Sequence, residues 1–321
     1  MSLNVAKIDL LRLVVTLCLV GSPLYSCAQE KFSFVALGDL PYGTPQVAYA
    51  PYTKLIDRIN EIDALFSIHV GDFKSGSSLC SNEEFSNQFN HFQRFKNAVI
   101  YTPGDNEWTD CHRSNNGSYE PLERLSTLRR VFFKSRQSLG QSPLVVESQS
   151  ETGSKKFLQF VENIRWQHSD VLFTTLHIVG SNNNFETRSP SAVNEFFERE
   201  QANVVWIKDS FSIAAAKKIS VMVFAFQADV FESKSIYEDF PSTSGFKKTI
   251  GETLLPLAQQ WGKPVLIIHG DSHRFKVDQP FILNKKALTN VTRLIVPGAD
   301  DVRAVEVTVT GSDLKFSLIE P

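Results

Sequence analysis

FSFVALGD, residues 32–39, is the stretch on which the fold turns. Aromatic and β-branched residues make a buried strand of it, and Gly38-Asp39 ends that strand. The same sentence is written three more times. LFSIHVGD (65–72) ends at Asp72, AVIYTPGD (98–105) ends at Asp105, and VLIIHGDSH (265–273) carries Asp271 and His273. Glycine permits a sharp exit from a strand and close approach of backbone to a ligand. The aspartate that follows then points from the edge of the sheet. One Gly-Asp is an ordinary turn. Four of them at the ends of apolar strands put several carboxylates into one crevice, where they repel and resist ionisation unless a cation neutralises them. A metal centre is the economical reading.

Between these strand ends the pattern changes period. Tyr52 to Ile62 places Leu55, Ile56, Ile59 and Ile62 on one helical face. Asn82 to Phe95 reads as a helix, and Pro121 opens another that runs to Phe133, since proline suits the first helical turn. In the second half, Phe157 to Val161 and Val171 to Val179 read as neighbouring strands and Ser191 to Ala216 as a long helix. Val221 to Phe226 is a buried strand, Phe246 to Trp261 a helix, and Val265 to Ile268 a strand again. Three strands close the chain: Val291–Val296, Val302–Val309 and Leu314–Leu318. Alternating strands and helices imply sheets with crossovers, whose sites lie at the carboxyl ends of strands. The closing run of strands predicts a second sheet packed on the first. With no repeat and no linker, residues 29–321 form one domain.

Composition narrows the classes of function. Hydrophobic residues make up 42% of the 321, enough for a large core, and the net charge of −2 gives no basic field for nucleic acid. Residues 1–28 read as a signal peptide. Lys7 and Arg12 precede an apolar run, Leu13 to Val20, too short to span a bilayer and broken by Gly21-Ser22-Pro23. Two endings compete there. Ser26-Cys27-Ala28 suits a signal peptidase, whereas Leu24-Tyr25-Ser26-Cys27 resembles a bacterial lipobox that would lipidate Cys27. The chain is thus expected outside the cytoplasm, periplasmic or extracellular, touching a membrane only through an anchor at Cys27. Cys18 lies in the leader. Cys80 and Cys111 remain, an even pair expected to form a disulfide in an oxidising compartment.

In order and spacing, Gly38-Asp39, Gly71-Asp72, Gly104-Asp105-Asn106-Glu107 and Gly270-Asp271-Ser272-His273 resemble the motifs of the calcineurin-like metallophosphoesterases. That resemblance implies an α/β fold, a four-layer αββα sandwich of two mixed sheets flanked by helices. It also implies one or two divalent ions and hydrolysis of phosphomonoesters, phosphodiesters or nucleotides, hence a small phosphorylated substrate. Carried over by position, Asp39 would bind the first metal and Asp72 would bridge two. Asp105 takes the place of the family's Asn ligand, and Asn106 that of its catalytic His; a shift of one residue would make Asn106 the ligand. Asp271 replaces the first His of the last motif and His273 is the second. His269 would bind metal or support Asp271. Pro41, followed by Tyr42, stands where the first motif has His, and a further family His falls on Phe226 or Gln227. More oxygen and less imidazole lean toward Mg, Mn or Ca rather than Zn; Fe also belongs among the candidates, and the sequence does not choose.

TPGDNEWTDCHR, residues 102–113, is densest in chemistry. His112 is the candidate general acid in place of the missing imidazole, and Arg113 the candidate phosphate clamp. Lys74 would offset phosphate charge, and Asn182, in the run Asn182–Asn184, would touch substrate. Glu107 would hold a ligand by hydrogen bonding, and Asp229 would stand behind the ligands. His177 is expected as a core histidine, His91 and His168 as solvated. The competing reading is a binding protein that keeps the fold and has lost one or both metals.

Overall fold

The computed structural model describes residues 30–152, 154–230 and 244–321; the segment expected to be a signal peptide, with Cys18 and Cys27, lies outside them. The strands are β1 Lys31–Leu37, β2 Phe66–His69, β3 Ala98–Tyr101, β4 Glu147–Ser148, β5 Ile164–His168, β6 Val171–Thr175 and β7 Val221–Ala225. They continue as β8 Val265–His269, β9 Lys276–Asp278, β10 Ile282–Leu283, β11 Lys286–Ala287, β12 Val291–Ile295, β13 Ala304–Thr310 and β14 Asp313–Ile319. The longer helices are α1 Pro45–Ile59, α2 Asn82–Phe92, α3 Pro121–Phe132, α4 Pro190–Ala216 and α5 Leu255–Trp261, the last preceded by a π-helical segment, Lys247–Leu254.

Two mixed sheets result. One runs β14-β13-β1-β2-β3, with β1, β2 and β3 parallel and β13 antiparallel to β1. The other runs β4-β5-β6-β7-β8-β12-β9, parallel through β6, β7, β8 and β12. The period-2 alternation of β1 shows why they pack. Phe34 and Ala36 face a core shared with Phe173, Val223 and Leu266 of the second sheet. Val35 and Leu37 face the other way, into a core with Leu55 and Ile56 of α1, Phe85 of α2 and Leu128 of α3. On the far side of the second sheet, Met222 and Phe224 pack with Trp206 and Phe211 of α4 and Ala258 of α5. The order is helix, sheet, sheet, helix: the four-layer α/β sandwich.

Two expectations need correction. Phe157–Val161 is not a strand: Lys155–Phe157 is a 3-10 turn, and Phe157 and Phe160 pack with Ala202 of α4 in a small separate cluster. The neighbour of β6 is β5 instead. The closing strands do not form the second sheet by themselves either. β13 and β14 return to the edge of β1, while β12 joins β8.

Candidate functional site

β1, β2 and β3 are parallel neighbours, so their carboxyl ends stand side by side. Asp39, Asp72 and Asp105 follow those ends within a few residues, and all three are buried. The parallel ends of β7 and β8 bring Gln227 and Asp271 to the same place from the second sheet. The backbone is strained there. Asp39, Asp72, Asp271 and His273 have φ of 52°, 52°, 74° and 57°, a left-handed region that costs non-glycine residues about 1–3 kcal/mol. The glycines are there for room. A Cβ on Gly104 would lie 2.1 Å from Asp72 Oδ1, and one on Gly270 would lie 2.1 Å from Asp39 Oδ2.

Asp72 is the hub. Its Oδ2 accepts from the Tyr42 hydroxyl at 2.9 Å, Asn106 Nδ2 at 2.8 Å and Gln227 Nε2 at 3.1 Å. Its Oδ1 accepts from the Asn106 backbone N–H at 3.1 Å. Asn106 Nδ2 also donates to the Tyr42 oxygen at 2.7 Å. Glu107 supports this arrangement from below: its Oε1 accepts from the N–H of Asp72, the N–H of Gly104 and the Tyr101 hydroxyl.

Asp39 receives the Asp271 N–H at 3.1 Å on each carboxylate oxygen, and His273 Nε2 lies 3.7 Å from its Oδ1. The His273 ring meets the Tyr42 ring edge-on at 5.1 Å. Asp105 Oδ2 accepts from the Ser181 hydroxyl at 2.9 Å, and that hydroxyl also lies 2.8 Å from Asp110 Oδ1. Arg113 closes this chain with a 2.6 Å ion pair to Asp110. Electrostatics follow from burial. Desolvation and the neighbouring carboxylates hold the Asp39 and Asp72 carboxyls well above the usual range. Burial, with Asp110 next, pushes Asp105 up to about 7.

The other expected residues divide. Arg113 reaches the site: its Nη1 and Asn106 Oδ1 both lie against Gly76. His112 is exposed and lines a cavity of about 750 Å³ with Asp110, Arg113 and Ser181. Its Nδ1 donates to the Thr109 carbonyl at 2.7 Å, which leaves Nε2 for a ligand. Lys74 does not face that cavity; it is buried, donating to the carbonyls of Asn106 and Ser75, so its charge braces the loop from within. Asn182 bonds the backbone of Phe185 and Gly245, and its neighbour Ser181 is the residue that reaches Asp105. His269 is buried behind the strand end, its ring stacked on Phe226, with Nδ1 2.9 Å from its neighbour's carbonyl. His177 is a core histidine as expected, 2.7 Å from Glu162. His91 is not solvated: it packs under Tyr49 and Tyr52. Asp229 approaches Arg293, and its N–H donates to Asp271 Oδ2. Cys80 and Cys111 form the disulfide that ties the loop after Asp72 to the loop after Asp105. Sequence reasoning missed Gln227 and Ser181 as members of the site. Gln227 was legible only as one of two residues standing where an imidazole was missing.

The donor set suits a hard cation in part. Asp39 and His273 stand close enough to share an ion, and Asp105 Oδ1 is a buried oxygen without a hydrogen-bond partner among the described residues. Among the described residues, no three His, Cys, Asp or Glu side chains close around one point. Small hard ions do not require such a cage, since they keep several waters.

No family model and no curated protein matches the chain. Among solved structures, a dimetal phosphatase from Danio rerio superposes with a TM-score of 0.53 at 10% identity, over 90% of this chain and 98% of that one. Purple acid phosphatase PPD1 from yellow lupin seeds follows at TM-score 0.47, 12% identity and 91% of this chain. A 5'-nucleotidase from Candida albicans follows at 0.42, 11% and 89%. The chain spans about half the length of these last two, 52% and 50%. With the sandwich order and the Gly-Asp strand ends, the first likeness settles the architecture: the chain has the calcineurin-like metallophosphoesterase fold.

Proposed function

We propose that this chain hydrolyses phosphate esters with the help of a divalent cation, and that it does so outside the cytoplasm. One observation carries the reading. Asp39, Asp72 and Asp105 are buried side by side at three parallel strand ends and oppose one another's ionisation. Such a cluster works against stability, because unpaired buried charge is costly, so its place at the strand ends points to function.

Asp39 and His273 would hold the cation. When bound, it supplies neutralising charge and a water acidified toward neutral pH. Arg113, fixed by Asp110, presents its remaining N–H groups at the mouth of the site and orients the phosphoryl oxygens. His112, its Nδ1 committed to Thr109, offers Nε2 to protonate the leaving oxygen. The cavity beyond it takes the organic half of the substrate. Its wall carries Glu186 and Arg188, which pair with each other at 2.8 Å, so a neutral, hydroxylated leaving group suits it better than a second anion. The disulfide joining the two site loops fits an exported protein.

The test is hydrolysis of p-nitrophenyl phosphate and bis(p-nitrophenyl) phosphate by the purified chain. Turnover should require Mn²⁺ or another divalent ion, stop with EDTA and return when the ion is restored. Turnover indifferent to EDTA removes the cation from the reading, and absence of turnover with Mn, Mg, Fe, Ca and Zn removes the reading itself.

A further inference from the structure

We infer that the chain binds one divalent cation, on the Asp39–His273 side, and that the Gln227 amide stands as a hydrogen-bond donor where a second ion would need a ligand. Gln227 does not turn. Its backbone N–H donates to the Ile178 carbonyl at 3.1 Å, and its carbonyl accepts from the Gly270 N–H at 3.0 Å. Its Oε1 accepts from the Gly180 N–H at 2.6 Å. A backbone N–H only donates, so the amide oxygen belongs at Gly180 and the NH₂ belongs at Asp72. Reversing the amide would set donor against donor and acceptor against acceptor, losing both bonds in a buried place.

Asp72 Oδ2 is filled as a result. An oxygen has about two lone-pair sites, and three donors crowd this one: the Tyr42 hydroxyl, the Asn106 side-chain amide and the Gln227 amide, while Oδ1 takes the Asn106 backbone N–H. An ion shared between Asp72 and Asp105 would lie against the hydrogens of that amide. Asp271 Oδ2 is engaged with the Asp229 N–H at 2.9 Å. Among the described residues, that side offers an ion one unbonded oxygen of Asp105 and the second lone pair of Asp72 Oδ1, set against the hydrogens of the Gln227 amide, and those do not make a site. On the other side, His273 stands 3.7 Å from Asp39 and its side chain is 35% exposed, which leaves room for the waters that small hard ions retain.

The inference rests on the cation-dependent reading above, but its test counts ions rather than turnover. Chelator-treated protein is titrated with MnCl₂, and free Mn²⁺ is followed by its electron paramagnetic resonance. One Mn²⁺ per chain is expected, with the six-line spectrum of an isolated ion. His273→Ala should weaken binding at least tenfold, and Asp271→Asn should leave one site of near-native affinity; circular dichroism verifies that both variants fold. Two ions per chain, or an exchange-coupled spectrum, overturns the inference and leaves hydrolysis standing. Loss of binding in Asp271→Asn comparable to that in His273→Ala also overturns it, as does folded native protein that binds none. One bound Mn²⁺ without hydrolysis of either nitrophenyl ester keeps the inference and removes the hydrolase reading.

Discussion

Glu107 has no exposed surface, yet one of its oxygens accepts three hydrogen bonds, from two backbone N–H groups and a tyrosine hydroxyl. Those N–H groups belong to Asp72 and to Gly104, so this carboxylate sets the backbone of two site loops at once. Glu107→Ala would strand three buried donors, each worth about 1–3 kcal/mol. Urea unfolding should show a loss of at least about 3 kcal/mol, whereas Glu107→Gln, which retains an acceptor, should lose less. His112 makes the opposite prediction. It is exposed, with a single hydrogen bond among the described residues, to its own turn, so His112→Ala should leave stability and bound metal unchanged while kcat falls by about 10²–10⁴-fold. Unchanged kcat would remove His112 from the reaction. The aspartates were legible in the sequence because each follows an apolar strand and a glycine. Gln227 was not, because its meaning depends on which end of the amide faces Asp72. That is decided by the N–H of Gly180, 47 residues away in the chain.

At the scale of elements, the loops after β2 and β3 carry the chemistry, and one covalent bond joins them. Cys80 and Cys111 are separated by 31 residues, and in the chain-entropy model closing such a loop restricts the unfolded chain by about 3–4 kcal/mol. Replacing both cysteines by serine should lower the free energy of unfolding by that amount, read from urea unfolding with the slope fitted for each protein, since the freed chain unfolds to a more open state. A loss far below 1 kcal/mol would mean the surrounding hydrogen bonds already hold the two loops. The elements themselves were mostly readable. β3 starts where the reading placed it, at Ala98, because AVIY sits between polar helix and Pro-Gly. α1 starts earlier than its apolar spacing suggested, at Pro45, because its first turns bury little beyond Ala48. Phe157–Val161 misled because aromatic side chains favour strands and small satellite clusters alike. Sheet membership of the closing strands was not legible at all. β13 pairs with β1 from the far end of the chain, and that register is set by the shared core, not by local sequence.

For the molecule as a whole, two sets of buried groups respond to acid in opposite directions, and the proposed cation would decide which prevails. His69 donates from Nε2 to the Leu40 carbonyl and accepts the Gly71 N–H on Nδ1, so its neutral ring is built into the fold. Burial lowers the pKa of His69 to about 4, and burial together with Arg199 does the same to His177. As pH falls below about 6.5, the unfolded chain takes up these protons first and the folded chain does not until about 4. Stability is therefore lost across that window, by about 3 kcal/mol for each ring. Asp39, Asp72 and Asp105 run the other way. Their raised pKa values mean that the cation-free fold holds protons which the unfolded chain has released, so their contribution is present at low pH and lost as pH rises. A cation at Asp39 removes much of that second effect, because it favours the ionised carboxylates. Two outcomes follow for urea midpoints measured at pH 7.5 and 5.5. Chain loaded with Mn²⁺ should lose stability on acidification, following its histidines. Chelator-treated chain should change less, because its aspartates oppose them. The stabilisation by Mn²⁺, the gap between the two curves, should be wider at pH 7.5 than at 5.5. A gap that does not change with pH would mean the cation binds without displacing protons, and so away from these carboxylates.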